Sequence, residues 1–301
     1  MRAVDLNRTI TGSVRTLTAS LLLLLGSCST LTVFDTLVPK DRGGKLVASA
    51  IAYGPDARQR LDVYAPRASG TRDRPTIVFF YGGSWDSGSR TGYAFVGRAL
   101  AARGFVVVIP DYRLVPHVRY PAFVQDGAAA VRWTLAHEHD YGGASGRVIL
   151  MGHSAGAYIA AMLAVDKRWL GADHAAVKGL IGLAGPYDFA PFDVDASRAA
   201  FGNWPRPADT QPVTWAGAGD PPALLAFGAE DQTVRPRNSE ALAARLRAGG
   251  VPVELRSYPK LGHVGLLLAL ARPFRGRASV LDDVARFGDR VWDSPGASPT
   301  R

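Results

Sequence analysis

A single cysteine, Cys28, stands in a chain of 301 residues, so an internal disulfide framework is excluded. Apolar runs are short. The stretch Leu17 to Leu25 spans nine residues, and a helix that crosses a bilayer needs about 20. Basic residues outnumber acidic ones, 35 to 26, for a formal charge of +9, yet no basic block of the kind that grips phosphates is present. The arginines read as a basic surface, and no nucleic-acid partner is expected. No internal repeat or long polar linker divides the chain, which predicts one large α/β domain. His137-Glu138-His139 resembles a metal site only at first sight, because residues two apart do not share a helix face; solvated surface is the expectation. No metal or organic cofactor is expected.

The N-terminus has the order of a secretory signal: Arg2, Arg8 and Arg15, then Leu17 to Leu25, then Gly26 and Ser27 before Cys28. Leu25-Gly26-Ser27-Cys28 resembles a bacterial lipobox, which implies cleavage before Cys28, acylation of its thiol and, with Ser29 following, an outer-membrane destination for an exported lipoprotein. Gly26 is less typical of that box than alanine or serine. An ordinary signal peptide with an accidental cysteine is the alternative. Removing residues 1–27 takes away three arginines and one aspartate and leaves a charge of about +7. Residues 28–44 are expected as a lipidated tether, 45–292 as the folded functional domain and 293–301 as a disordered tail. A cut after residue 44 is then expected to leave that domain's function largely intact.

The organising stretch is Arg147 to Leu163. Val148 to Met151 is a continuous apolar run, suited to a parallel strand covered on both faces. Gly152-His153-Ser154-Ala155-Gly156 follows, a Gly-x-Ser-x-Gly turn that lifts a serine hydroxyl out of the sheet at the start of a helix. Strand-like runs also cover Leu46–Tyr53, Arg60–Tyr64, Thr76–Phe80, Phe105–Ile109, Gly179–Leu183, Ala223–Phe227 and Val251–Tyr258. Helices are predicted over Tyr93–Arg103, Phe123–His139, Asn238–Leu246 and Val280–Val291. The Pro-, Gly- and Trp-rich segment from Phe189 to Pro221 is expected as a pocket wall or small lid.

Two further sites follow strand ends. Tyr81-Gly82-Gly83-Ser84-Trp85 places adjacent glycines where backbone N–H groups can point into a cavity and bind an oxyanion. Asp231 and His263 supply an acid and a base after later strands, about 32 residues apart, the length of one helix and one strand. Ser154, Asp231 and His263 therefore converge at the C-terminal edge of one sheet. Glu230 is the alternative acid. His153 reads as a pocket-wall or structural histidine, and Asp126 and Asp188 as capping or loop-fixing residues.

Gly-Gly-Ser-Trp, Asp111-Tyr112-Arg113-Leu114, the Ser154 turn, Gly228-x-x-Asp231-x-x-Val234 and Gly262-His263 occur in that order. Together they resemble the α/β-hydrolase family, in particular esterases of the hormone-sensitive-lipase and feruloyl-esterase-like group. The resemblance covers about residues 46 to 290 and implies an α/β-hydrolase fold with a mostly parallel sheet and a small lid or none. It also implies a Ser154–His263–Asp231 triad, an oxyanion hole from Gly83, Ser84 and Ala155, and a small-molecule ester as substrate. Tyr81 stands where this group carries histidine. It is expected either to hold the loop through its hydroxyl or to narrow the pocket, and Tyr81, Trp85 and Tyr187 are the candidate substrate contacts; Phe189 and Trp204 either pack or line the site. Three readings compete: a lipid-anchored esterase, an amide-directed relative such as an arylformamidase or peptidase, and a non-catalytic lipoprotein using the fold as a binding scaffold.

Overall fold

The computed structural model describes residues 30–68 and 73–293. Cys28, the leader and the tail beyond Asp293 lie outside the described residues. Strands β1 (Gly44–Ala52), β2 (Arg60–Pro66), β3 (Arg74–Phe80), β4 (Val106–Pro110), β5 (Gly143–His153), β6 (Val177–Leu183), β7 (Ala223–Gly228) and β8 (Val253–Tyr258) form one sheet in the order β1-β2-β4-β3-β5-β6-β7-β8. The opening hairpin is antiparallel, and β2 meets β4 antiparallel; all later pairings are parallel. Apolar continuity explains the order. The five residues of β4 and the last six of β5 are buried, as a sheet covered on both faces requires. The edge strand β1 is mostly exposed.

The helices are α1 (Thr30–Leu37), α2 (Ala94–Ala101), α3 (Ala122–His137), α4 (Ala155–Val165), α5 (Asp195–Phe201), the single turn α6 (Pro212–Trp215), α7 (Arg237–Ala248), α8 (His263–Leu268) and α9 (Val280–Asp293). Every residue of α4 is buried, which matches a helix that is apolar all round and enclosed by the sheet and its neighbours. In α9, Val280, Val284, Phe287 and Val291 recur at helical spacing and are all buried. The Pro- and Trp-rich segment holds α5 and α6 and a short 3-10 turn, packed through Phe201 against Trp85, Tyr158 and Phe123.

Two expectations are corrected here. β5 starts at Gly143, five residues before its apolar run, because the polar Gly143–Arg147 segment is recruited by pairing Gly143 with Arg74 and by Glu138. Glu138 is not solvated surface. It is 1% exposed and accepts the N–H groups of Gly146 (2.5 Å) and Arg147 (3.4 Å), and burial pushes its carboxyl up to about 7. His137 stacks on Trp133, with centroids 4.4 Å apart.

The expected tether is also part of the body from Thr30 onward. Phe34 packs edge-on against Phe95 at 5.4 Å and contacts Phe274 at 6.0 Å. The Asp35 carboxylate accepts the N–H of Phe95 (2.7 Å), one of the donors that the first turn of α2 leaves unsatisfied. Arg275 clamps Asp41 with two hydrogen bonds. The folded body therefore includes the chain from Thr30 onward, and its boundary is not at residue 44. A chain lacking residues 1–29 is expected to keep the thermal stability of the longer chain. Removing residues 1–44 strips a half-buried aromatic and a cap and is expected to lower Tm by about 5 °C or more, readable by calorimetry.

Candidate active site

The site is assembled at the C-terminal ends of β3, β5, β7 and β8. At the end of β5, Ser154 adopts φ 56°, ψ −126°, a conformation that L side chains rarely hold, while its N–H donates to Leu183 (2.9 Å) and its carbonyl accepts from Tyr158 (3.1 Å). The flanking glycines permit this by close approach. A Cβ on Gly156 would lie 2.1 Å from the Phe80 carbonyl oxygen, and one on Gly152 would lie 2.3 Å from the Gly156 carbonyl. Only a bare backbone fits at either place.

His263 opens α8 after β8 and bridges two partners. The Ser154 hydroxyl donates to its Nε2 at 2.9 Å, and its Nδ1–H donates to Asp231 Oδ2 at 2.8 Å. The other Asp231 oxygen accepts the N–H groups of Thr233 and Val234, both at 2.9 Å. Burial alone would raise the Asp231 carboxyl; the hydrogen bonds from His263 and the loop N–H groups outweigh it and hold the group below the usual carboxylate range. The imidazole side chain is 12% exposed and the carboxylate 0%, so the relay is shielded on the acid side and open at the serine. Glu230, the alternative acid, is exposed and takes no part.

His153, next to the serine, packs against His263. Its Nε2–H donates to the His263 carbonyl at 3.1 Å, with ring centroids 4.8 Å apart. Burial, and then the neighbouring His263, bring its pKa down to about 3, so it stays neutral. Of the two readings open to it, pocket wall or structural histidine, its burial and its bond to the His263 backbone match the second.

The loop after β3 wraps the serine. A Cβ on Gly82 would fall 2.9 Å from Ser154 Cβ, and Gly83 (φ 125°), Ser84 (φ 51°) and Trp85 (φ 62°) are all left-handed. The Gly83 carbonyl accepts from Asp86 and Ser87 N–H, each at 3.0 Å, closing the turn. Among the described residues, neither Gly83 nor Ser84 donates its N–H to another backbone group. Ser84 and Ala155 line the cavity above Ser154.

Tyr81 does not contact that cavity. It is fully buried, stacked between Tyr93 and Tyr112 at 5.1 and 4.8 Å. Its hydroxyl donates to Asp111 Oδ1 (2.7 Å) and accepts from Arg58 (3.0 Å). The Tyr81 carbonyl in turn accepts from the Tyr112 hydroxyl (2.8 Å), and the Gly82 carbonyl from Tyr93 (3.3 Å). Arg90 ties Asp111 to Asp62. Of the two roles open to Tyr81, the hydroxyl anchor is the one observed. Tyr187 is also buried, packed over Gly182 and Gly185, and is not a substrate contact. Trp85 does line the cavity, as does Phe189; Trp204 packs on Tyr120. Asp126 fixes a loop, accepting Arg113 N–H and Gln59 Nε2 at 2.8 Å each.

Sequence reasoning missed two wall-fixing amides. Asn238 Oδ1 accepts the N–H groups of Tyr187 and Asp188, and Gln211 Oε1 those of Phe189 and Ala190. It also missed Arg58, Asp62 and Arg90, which are scattered along the chain with no motif to mark them. The cavity measures about 340 Å³, near the small end of the roughly 300–1,000 Å³ typical of small-molecule sites. Among the described residues no group of three or more His, Cys, Asp or Glu side chains is placed to hold a metal ion.

A serine on a left-handed turn after a central parallel strand, with an aspartate and a histidine brought to it from after later strands, defines a protein of the α/β-hydrolase fold. Esterase B from Lactobacillus rhamnosis shares that fold, with a TM-score of 0.77 at 19% identity over 94% of this chain and 96% of its own. The butyrate-bound esterase Est2 from Thermogutta terrifontis does so with a TM-score of 0.67 at 22% identity over 84% of this chain and 96% of its own. By sequence, residues 61–246 match the BD-FAE family, and the chain belongs to it. It is 30% identical to esterase LipC of Mycobacterium tuberculosis over 247 residues, 74% of this chain and 60% of that relative. It is 27% identical to the isoprenylcysteine alpha-carbonyl methylesterase ICME of Arabidopsis thaliana over 265 residues, 80% of this chain and 61% of that one. The chain thus spans about three fifths of the length of these relatives.

Tyr81→Phe deletes a hydroxyl whose carboxylate partner, Asp111, stays buried. It is expected to lower the unfolding free energy by about 1–3 kcal/mol in urea titrations, with the loss largely absent if Asp111 is already replaced by Asn.

Proposed function

We propose that the protein hydrolyses carboxylic esters through a covalent acyl-serine intermediate. The observation that carries this reading is the unbroken hydrogen-bond chain from the Ser154 hydroxyl through His263 to Asp231, opening into a cavity at the serine end. A serine hydroxyl is a weak nucleophile near neutral pH, and His263 Nε2 accepts its proton as the oxygen attacks the ester carbonyl. Asp231, kept ionised, holds the imidazole in the tautomer with its proton on Nδ1 and stabilises the imidazolium. Negative charge on the carbonyl oxygen is received by the N–H groups of Ala155, Gly83 and Ser84, where loss of one such donor typically costs about 3 kcal/mol. His263 returns the proton to the departing alcohol, and water then releases the acid by the same route in reverse. Relatives named as esterases support the choice of ester over amide.

Wild-type protein is expected to hydrolyse para-nitrophenyl acetate and butyrate faster than the octanoate, given the small cavity, and to be labelled by a fluorophosphonate probe. Ser154→Ala and His263→Ala are expected to lower kcat by about 10³-fold or more, and Asp231→Asn by about 10²–10⁴-fold. Labelling that persists in Ser154→Ala would remove Ser154 from the mechanism, and turnover of formanilides or peptides in preference to esters would favour the amide reading.

We further propose that the chain is an exported lipoprotein anchored through acylated Cys28, a reading supported by the basic, apolar, small-residue order ahead of that cysteine. Detergent phase partitioning of the protein expressed in a bacterial host tests it. Wild type is expected in the detergent phase with an acylated N-terminal peptide by mass spectrometry, and Cys28→Ser in the aqueous phase; equal partitioning would reject the anchor.

A further inference from the structure

The cavity above Ser154 has a mixed lining. Trp85, Phe189 and Val194 contribute apolar side chains, and the segment that follows Asp231 adds Arg235 and Arg237. Both arginines are exposed, and neither makes a hydrogen bond, ion pair or ring contact through its guanidinium with another described residue. That sets them apart from Arg90, Arg113, Arg168 and Arg275, each of which is tied to a carboxylate.

Their backbones are also fixed to the reacting centre. Asp231 holds the N–H of Val234, and the carbonyl of Arg235 accepts the backbone N–H (3.0 Å) and the side-chain amide (3.3 Å) of Asn238. Arg237 starts α7 immediately before that asparagine. Two guanidinium groups without a partner among the described residues are thus carried just after Asp231, at the end of the loop and the start of α7, in a cavity also lined by apolar side chains.

One acid, Asp193, lines the same cavity and pairs with neither arginine. The formal charge of the lining is therefore +1, which matches a monoanion better than a phosphate monoester carrying about two charges.

We propose that the ester accepted here bears a second, ionised carboxylate remote from the scissile bond, received by Arg235 and Arg237 in the forked geometry guanidinium offers to carboxylates. The inference rests on the reading of Ser154 as nucleophile and deepens it by naming the substrate class. The remote carboxylate is unchanged in the reaction: water adds across the acyl C–O bond, giving a dicarboxylic acid when the charge lies on the acyl side, or a carboxylate-bearing alcohol when it lies on the other.

Matched pairs test it. The para-nitrophenyl monoester of glutaric acid is compared with para-nitrophenyl butyrate for the acyl side, and para-acetoxybenzoate with its methyl ester for the alcohol side. In at least one pair the anionic member is expected to have the higher kcat/KM, mainly through a lower KM. The anionic-to-neutral ratio is expected to fall about tenfold in Arg235→Gln/Arg237→Gln. In the unaltered protein it is expected to fall severalfold as NaCl rises from about 0.05 to about 0.5 M, so the test does not depend on the variant folding. Preference for the neutral member in both pairs, or a ratio indifferent to salt and substitution, would overturn the proposal while leaving ester hydrolysis standing. Failure to hydrolyse any of the four esters, with no fluorophosphonate labelling of Ser154, would overturn the mechanism and this inference together.

Discussion

The contact on which the site depends is one between two pieces of backbone. Gly156, in the first turn of α4, lies so close to the end of β3 that a single added carbon would overlap the Phe80 carbonyl. This approach sets the serine turn against the loop that begins at Tyr81. With a larger residue at 156, α4 would stand off from the sheet, and the Gly82–Ser84 backbone would no longer wrap Ser154. Packing of the entirely buried α4 supplies the force that maintains the contact, and the left-handed geometry of Ser154 is strain held in place by it.

Much of this was legible from residue order, and for identifiable reasons. Unbroken apolar runs at Val148–Met151, Gly179–Leu183 and Ala223–Phe227 mark buried parallel strands because both faces of such a strand are covered. Ser154, Asp231 and His263 each follow a strand, and a parallel sheet delivers such positions to one edge. What could not be read depended on partners distant in the chain. Glu138 looks like surface by composition and becomes buried because Gly146 and Arg147 present their N–H groups to it. Tyr81 and Tyr187 sit beside glycine-rich turns, where an aromatic is a reasonable pocket residue, yet both point into the core. Asn238 and Gln211 carry no motif, since an amide that caps a remote loop can come from any position the fold brings near.

The replacement of the group's usual histidine by Tyr81 has a coherent physical basis. An imidazole at this place offers one donor and one acceptor; the phenol offers the same capacities on a longer arm, together with two ring faces. Both are used, the faces by Tyr93 and Tyr112 and the hydroxyl by Asp111 and Arg58. Because Arg90 joins Asp111 to Asp62 on β2, the loop beside the serine is fastened to the antiparallel edge of the sheet as well as to β3. In the proposed mechanism, such rigidity suits N–H donors that must be in place before charge develops on them.

The early start of α1 bears on how the protein would sit in its surroundings. Thr30 already belongs to the folded body, so a lipid on Cys28 would leave only two residue steps of leash, at most about 7 Å of reach. That clearance is shorter than the roughly 8 Å over which physiological salt screens a charge. An enzyme on so short a leash could not sweep the surrounding fluid. It would skim the bilayer, the surface around Thr30 held within the field of the headgroups.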